Sequence, residues 1–184
     1  MLLALLFALA TTIPSDLPTQ PGLYYRAGSS MVRIDGRAAS FARTGSRLVS
    51  TATAGIKSSK INAQILGETS GNVVPGLTTF YYRQASGNEA VGGSAGDLVL
   101  VKMDVKGNRR QFEMRAAGMG RASAGISLRS QVDFYRKQLD QQLYEVTTPA
   151  LRPGEYAFYL FRGYDLPGFI YDFTVPKGEG KPKK

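Results

Sequence analysis

The sequence predicts an all-β protein, built as one antiparallel β-sandwich, and three observations predict it. Glycine is abundant at 21 residues, and Tyr and Phe together contribute 10 and 9, a mixture of turn formers and strand formers. Val99, Val101, Met103 and Val105 alternate with Lys102, Asp104 and Lys106, and after Gly107-Asn108 the alternation resumes at Phe112, Met114 and Ala116, the pattern of a half-buried antiparallel pair. Ala157 to Phe161 is apolar at every position, as a central strand is, and Phe169, Tyr171, Phe173 and Val175 then alternate with Ile170, Asp172 and Thr174. A chain of 184 residues is long enough for one buried core and too short for two full domains.

From the start of the chain, Leu2 to Ala10 is an unbroken apolar run. It is too short to span a bilayer, which takes about 20 residues, and it ends in Ala8-Leu9-Ala10, a small-x-small pattern of the kind signal peptidase cuts. Residues 1–10 are therefore read as a signal peptide, although no Lys or Arg precedes the run, and no Cys follows that would carry a lipid anchor. Residues 11–21, with Pro14, Pro18 and Pro21, read as an extended linker. The chain is expected to be exported, to the periplasm or outer envelope, with no transmembrane span.

The sandwich is expected over residues 22–176. Leu23 to Arg26 and Met31 to Ile34 flank a small polar turn and read as a hairpin. Residues 37–60 are weakly periodic, with short strands placed only at Leu48-Val49 and Ala52 to Ile56. Ile61 to Leu66 and Thr78 to Arg83 read as strands, and Ser86 to Gly96 as a glycine-rich loop. Residues 126–148 fit two templates. Leu128, Val132, Tyr135, Leu139, Leu143 and Val146 step as a helix would, whereas Val132-Asp133-Phe134 and Tyr144-Glu145-Val146 alternate around a turn at Asp140-Gln141-Gln142. The tail, 177–184, with Lys177, Lys181, Lys183 and Lys184, is expected to be disordered.

The stretch Leu151-Arg152-Pro153-Gly154-Glu155-Tyr156 resembles the start of a strand in immunoglobulin-like and fibronectin-like sandwiches, where a tyrosine sits at the corner between sheets. Three blocks, Gly22-Leu23-Tyr24-Tyr25, Ala52-Thr53-Ala54-Gly55-Ile56 and Pro153-Gly154-Glu155-Tyr156-Ala157-Phe158, together resemble a group of secreted bacterial proteins with an immunoglobulin-like C-terminal half. The resemblance implies an immunoglobulin-like sandwich, export, and a hairpin over residues 131–148. It implies no activity and no catalytic residues.

Composition removes much of enzymology. With no His the usual general base near neutral pH is missing, and with no Cys thiolate metal sites and disulfides are excluded. No cofactor and no metal site is expected. Gly92-Gly93-Ser94-Ala95-Gly96 matches the nucleophile-elbow pattern, but a strand rather than a helix follows it and no His can take the serine proton, so it reads as a loop. Gly118-Met119-Gly120 with Gly125 lacks the third glycine of a dinucleotide loop. The carboxylates are scattered, with Asp165, Asp172 and Glu155 the set that a fold might bring together.

An aromatic–aromatic–Arg triplet recurs as Tyr24-Tyr25-Arg26, Tyr81-Tyr82-Arg83 and Phe134-Tyr135-Arg136. On a strand the first aromatic and the Arg share a face. Tyr24, Arg26, Tyr81, Arg83, Phe134 and Arg136 are therefore the candidate ligand-binding residues, a ladder able to stack on rings and hold anions; the competing expectation is an ordinary amphipathic strand. Twenty-three Lys and Arg against 14 Asp and Glu give a net charge of +9, with basic runs at Arg26 to Lys60 and at Arg109, Arg110, Arg115, Arg121 and Arg129. The leading expectation is a non-catalytic envelope protein, a structural or accessory subunit that binds other envelope proteins. The alternative is a binding module for anionic glycans or lipid head groups, and third comes a hydrolase using carboxylates or Ser94 with a Lys. Export ranks nucleic acid low as a partner.

Overall fold

A computed structural model of the chain describes residues 16–44, 60–85, 94–115, 125–161 and 168–177. The expected signal peptide, the strands at Leu48-Val49 and Ala52 to Ile56, most of the 118–125 loop and most of the tail lie outside the described residues. Fourteen strands are seen, all joined by antiparallel pairing. They are β1 (Gly22–Ala27), β2 (Ser30–Ile34), β3 (Arg37–Ala38), β4 (Ser40–Thr44), β5 (Lys60–Leu66), β6 (Thr79–Arg83), β7 (Leu98–Val105), β8 (Arg109–Arg115), β9 (Gly125–Ile126), β10 (Gln131–Val132), β11 (Tyr135–Gln138), β12 (Leu143–Thr147), β13 (Gly154–Leu160) and β14 (Phe169–Val175). The described residues are all-β with antiparallel sheets, as the alternation predicts.

Five strands form one sheet in the order β11-β12-β6-β1-β2, and the larger sheet runs β3-β14-β13-β7-β8-β5-β4, with β10 on β7 and β9 on β8. The two ends of the larger sheet are neighbours in sequence. Arg37 and Ala38 pair with Ile170 and Phe169 of β14, while Ser40 to Thr44 pair with β5. One short stretch of backbone, turning at the buried Ala39, therefore joins both margins and brings the sheet back on itself as a ring of strands, six-membered when β3 and β4 are counted as one bent strand.

Two cores result. Between the five-stranded sheet and the wall formed by β7, β13 and β14 lie Leu23, Ile34, Phe80, Leu100, Phe158, Leu160 and Phe173. Phe158 packs edge-on against Phe80 and Phe134, with centroids 5.0 and 5.6 Å apart, and lies stacked on Phe173. The alternate residues of the same wall, Val101, Met103, Ala157, Tyr159 and Ile170, point into the ring, where they meet Ala63, Ile65 and Phe112. β7 is thus buried on both faces over Leu98 and Leu100 to Val101, where the sequence reads it as half-buried. The β7–β8 hairpin is also shorter than the alternation suggests. Its pairing ends at Asp104↔Gln111, β8 then turns away to β5, and β10 takes its place beside Leu100 and Val101. Residues 135–147 form a hairpin and no helix, with Asp140 Oδ1 accepting from the Gln142 and Leu143 amides at the turn.

Burial raises the pKa of the Tyr82, Tyr156 and Tyr159 phenols above the ordinary 10.0. An unfolded chain ionises these phenols near pH 10 while the folded one resists, so their contribution is complete below pH 10 and is lost as the pH rises beyond it. Alkaline titration is expected to show tyrosinate absorbance appearing together with loss of the β-sheet circular dichroism signal. Ionisation of all the tyrosines with the fold intact would contradict this.

Candidate functional site

Two strand corners share one design. Gln20-Pro21-Gly22-Leu23-Tyr24 opens β1 and Arg152-Pro153-Gly154-Glu155-Tyr156 opens β13. In each, the tyrosine hydroxyl donates to the carbonyl four residues upstream, Tyr24 to Gln20 at 3.0 Å and Tyr156 to Arg152 at 2.9 Å. In each, the glycine sits at positive φ, 146° and 152°, which a side chain would strain. The second corner was legible as a resemblance; the repetition of Pro-Gly-x-Tyr at the first is the signal that sequence reasoning missed.

The first corner places four of the six candidate residues. Tyr24 and Tyr81 are direct cross-strand partners on β1 and β6, and Arg26 and Arg83 follow on the same outer face, as the period of two requires. Both tyrosines are buried there with Leu143, and Leu17 packs against them. Residues 16–20 cross this face. Asp16 holds Arg26 at 2.8 Å, the Pro18 carbonyl accepts from Arg83 Nε, and the Gln20 carbonyl takes the Tyr24 hydroxyl. The Arg26 guanidinium also lies 5.7 Å from the centre of the Tyr81 ring, and its hydrogen bond to Asp16 lowers that carboxyl's pKa. Phe134 and Arg136 are on the other face. Phe134 packs into the core between the sheets, and Arg136 pairs with the buried Val146, stacks over the Phe134 ring and donates to the Ala95 carbonyl.

At the end of β6, where the outer face of the five-stranded sheet meets the mouth of the space between the two sheets, a cleft of about 230 Å³ opens. Arg33, Arg83, Tyr82, Phe169 and Tyr171 line it. Gly22 and Gly36 are also among its lining residues, the latter against the Tyr171 ring, whose nearest atom would stand 2.7 Å from any Cβ placed there. Arg83 is held by Asp140 at 2.9 Å and Arg33 lies 3.6 Å from Asp35; neither carboxylate lines the cleft. Arg33 appears in the sequence only as one charge in a basic run. Its placement beside a glycine two strands from Arg83 depends on register, which composition does not carry.

A second polar cluster lies inside the ring of strands. Arg110 is 1% exposed and reaches Asp172 at 2.6 Å and Glu155 at 3.4 Å, so two of the three carboxylates singled out from sequence do converge, Asp165 being outside the described residues. Arg110 Nε donates to the Gly67 carbonyl, the Ser70 amide donates to Glu155, and the Ser70 hydroxyl donates to the Asp172 carbonyl. Arg37 approaches Asp172 Oδ1 at 3.9 Å from the surface. The basic run read at Arg109 to Arg129 is thereby corrected, since Arg110 faces inward. Its signal was present: Arg110 is in period-two register with Phe112 and Met114. These groups neutralise one another and fasten the 67–72 loop to β13 and β14. Ser94, of the nucleophile-elbow pattern, caps a single 3-10 turn, Ala95–Asp97, accepting from Gly96 while Asp97 accepts from the Ser94 amide.

Among the described residues no helix is long and apolar enough to cross a membrane. No protein-family profile, curated protein or solved structure matches the chain.

Proposed function

We propose that the chain is a non-catalytic, exported envelope protein that serves as an accessory subunit by binding another protein, and that its sheets form an immunoglobulin-like sandwich. The Tyr156–Arg152 corner supports the fold assignment, and the apolar run ending in Ala8-Leu9-Ala10 supports export.

The observation that carries the binding role is the open margin of the five-stranded sheet. β11 ends that sheet, and all four of its residues are exposed. Tyr135 stands out at 68% exposure, an aromatic anchor of the kind that dominates interface energetics. An edge strand offers unpaired amides and carbonyls to an incoming strand. Lys137 beside them opposes pairing with a second copy, which would bring like charges together, and favours an acidic segment.

Purification of the tagged native protein from envelope fractions in mild detergent tests this reading. A stoichiometric complex that survives high salt is expected, and Tyr135→Ala should weaken it by about thirtyfold, the factor that a ~2 kcal/mol anchor implies. A salt-released monomer with no stoichiometric protein partner would refute it.

A further inference from the structure

Gly22 presents no side chain on the outer face of the five-stranded sheet, and its position lies between two arginines. Arg83 is the direct partner of Gly22 across β1 and β6. Arg33 is the partner of Tyr24, two residues along β1, on the opposite neighbour β2. Positions two apart share a face, and adjacent strands stand about 4.8 Å apart, so both side chains rise from strands flanking the glycine. Arg33 leans over it: its Nε lies 3.2 Å, and its Nη2 3.7 Å, from where a Cβ on Gly22 would stand. The positive φ of Gly22 ties this arrangement to the Pro-Gly-x-Tyr corner, because a residue with a side chain would both strain the backbone and push Arg33 aside.

We propose that this cleft binds one carboxylate-bearing sugar ring, the carboxylate held between Arg33 and Arg83 and the ring against Phe169 and Tyr171. Guanidinium groups recognise carboxylates through paired N–H donors. Here the Pro18 carbonyl and Asp140 already engage Arg83 through Nε and Nη2, so a ligand meets the Nη1 side of a guanidinium that is already held, and little freedom is lost when it arrives. Both arginines line the cleft and their carboxylate partners do not, and the chain's net charge of +9 favours an anionic ligand. The volume, about 230 Å³, is below the ~300–1,000 Å³ of sites for drug-sized ligands, and suits a single ring. Aromatic walls with an arginine rim separate such a ligand from an inorganic anion, which would gain nothing from the rings, and from a neutral sugar, which would gain nothing from the charges.

Calorimetric titration of the full chain with glucuronate, glucose and inorganic phosphate tests the site. Glucuronate is expected to bind, more weakly as salt rises, with glucose and phosphate each at least about tenfold weaker. Arg33→Gln should weaken glucuronate about tenfold or more. Arg33 is largely exposed and its ion-pair contact, to Asp35, is long, so this variant should keep the wild-type melting temperature. Arg83→Gln should weaken binding likewise, and Arg136→Gln, on the other face, should leave it unchanged. Absence of glucuronate binding, equal binding of glucose or phosphate, or wild-type affinity in a folded Arg33→Gln protein would overturn the proposal.

Discussion

Arg110→Met is expected to lower the stability of the protein by about 3–5 kcal/mol, the cost of leaving buried charge without its partner. Arg110 touches two carboxylates that are themselves almost wholly buried, with side chains 7% and 1% exposed for Glu155 and Asp172. Arg37 cannot take over, because it stays at the surface, 58% exposed, and reaches Asp172 only at 3.9 Å. The methionine would also release the Gly67 carbonyl from Arg110 Nε, loosening a loop otherwise tied down through Ser70 and Asn72. Urea unfolding followed by circular dichroism measures the effect. Adding Glu155→Gln and Asp172→Asn to the same protein should recover much of the loss, since neutral amides cost less to bury than unpaired carboxylates. A single variant as stable as the wild type would show that these charges do not fasten the ring.

Phe158→Ala should cost about 3–5 kcal/mol as well, for a different reason. Phe158 is fully buried and meets Phe80, Phe134 and Phe173 at centroid distances of 5.0, 5.6 and 6.0 Å. These rings come from β6, from the approach to β11, and from β14, so the space left by alanine would lie where the two sheets meet. Chemical denaturation should show a lower midpoint at unchanged slope. A shift worth less than about 1 kcal/mol would mean that the neighbouring rings collapse into the space.

The strands that carry a strong period of two were legible in the sequence: β1 with β2, β7, β13 and β14 all fall where alternation or a doubly apolar run puts them. The hairpin over 135–147 was legible only through a resemblance, because its apolar residues satisfy both a period of two and a helical step. What the sequence concealed is the closure of the larger sheet. β3 and β4 are short, polar and separated by one residue, and nothing in Arg37 to Thr44 announces that its two halves serve different neighbours. Of the candidate site, the shared face of the first aromatic and the Arg followed from strand geometry for the first two triplets, while the pairing of Tyr24 with Tyr81 is set by register. The third triplet diverged because the chain passes from β10 on one sheet to β11 on the other through Asp133 and Phe134, which carries Phe134 into the core. Arg33 became visible only once register set it diagonal to Gly22.

The joining of the larger sheet's two margins has a consequence for how the molecule comes to be folded. Arg37 meets Ile170 across about 130 residues of chain, so the contact that completes the ring has the largest sequence separation of any strand pairing among the described residues. Bringing such distant segments together costs conformational entropy before any pairing is gained, and topologies dominated by such contacts fold slowly. A nascent chain lacking its last fifteen or so residues (about the span from Phe169 onward) has no partner for β3 and none for the outer edge of β13. Completion of the native state therefore waits for the C-terminal strand.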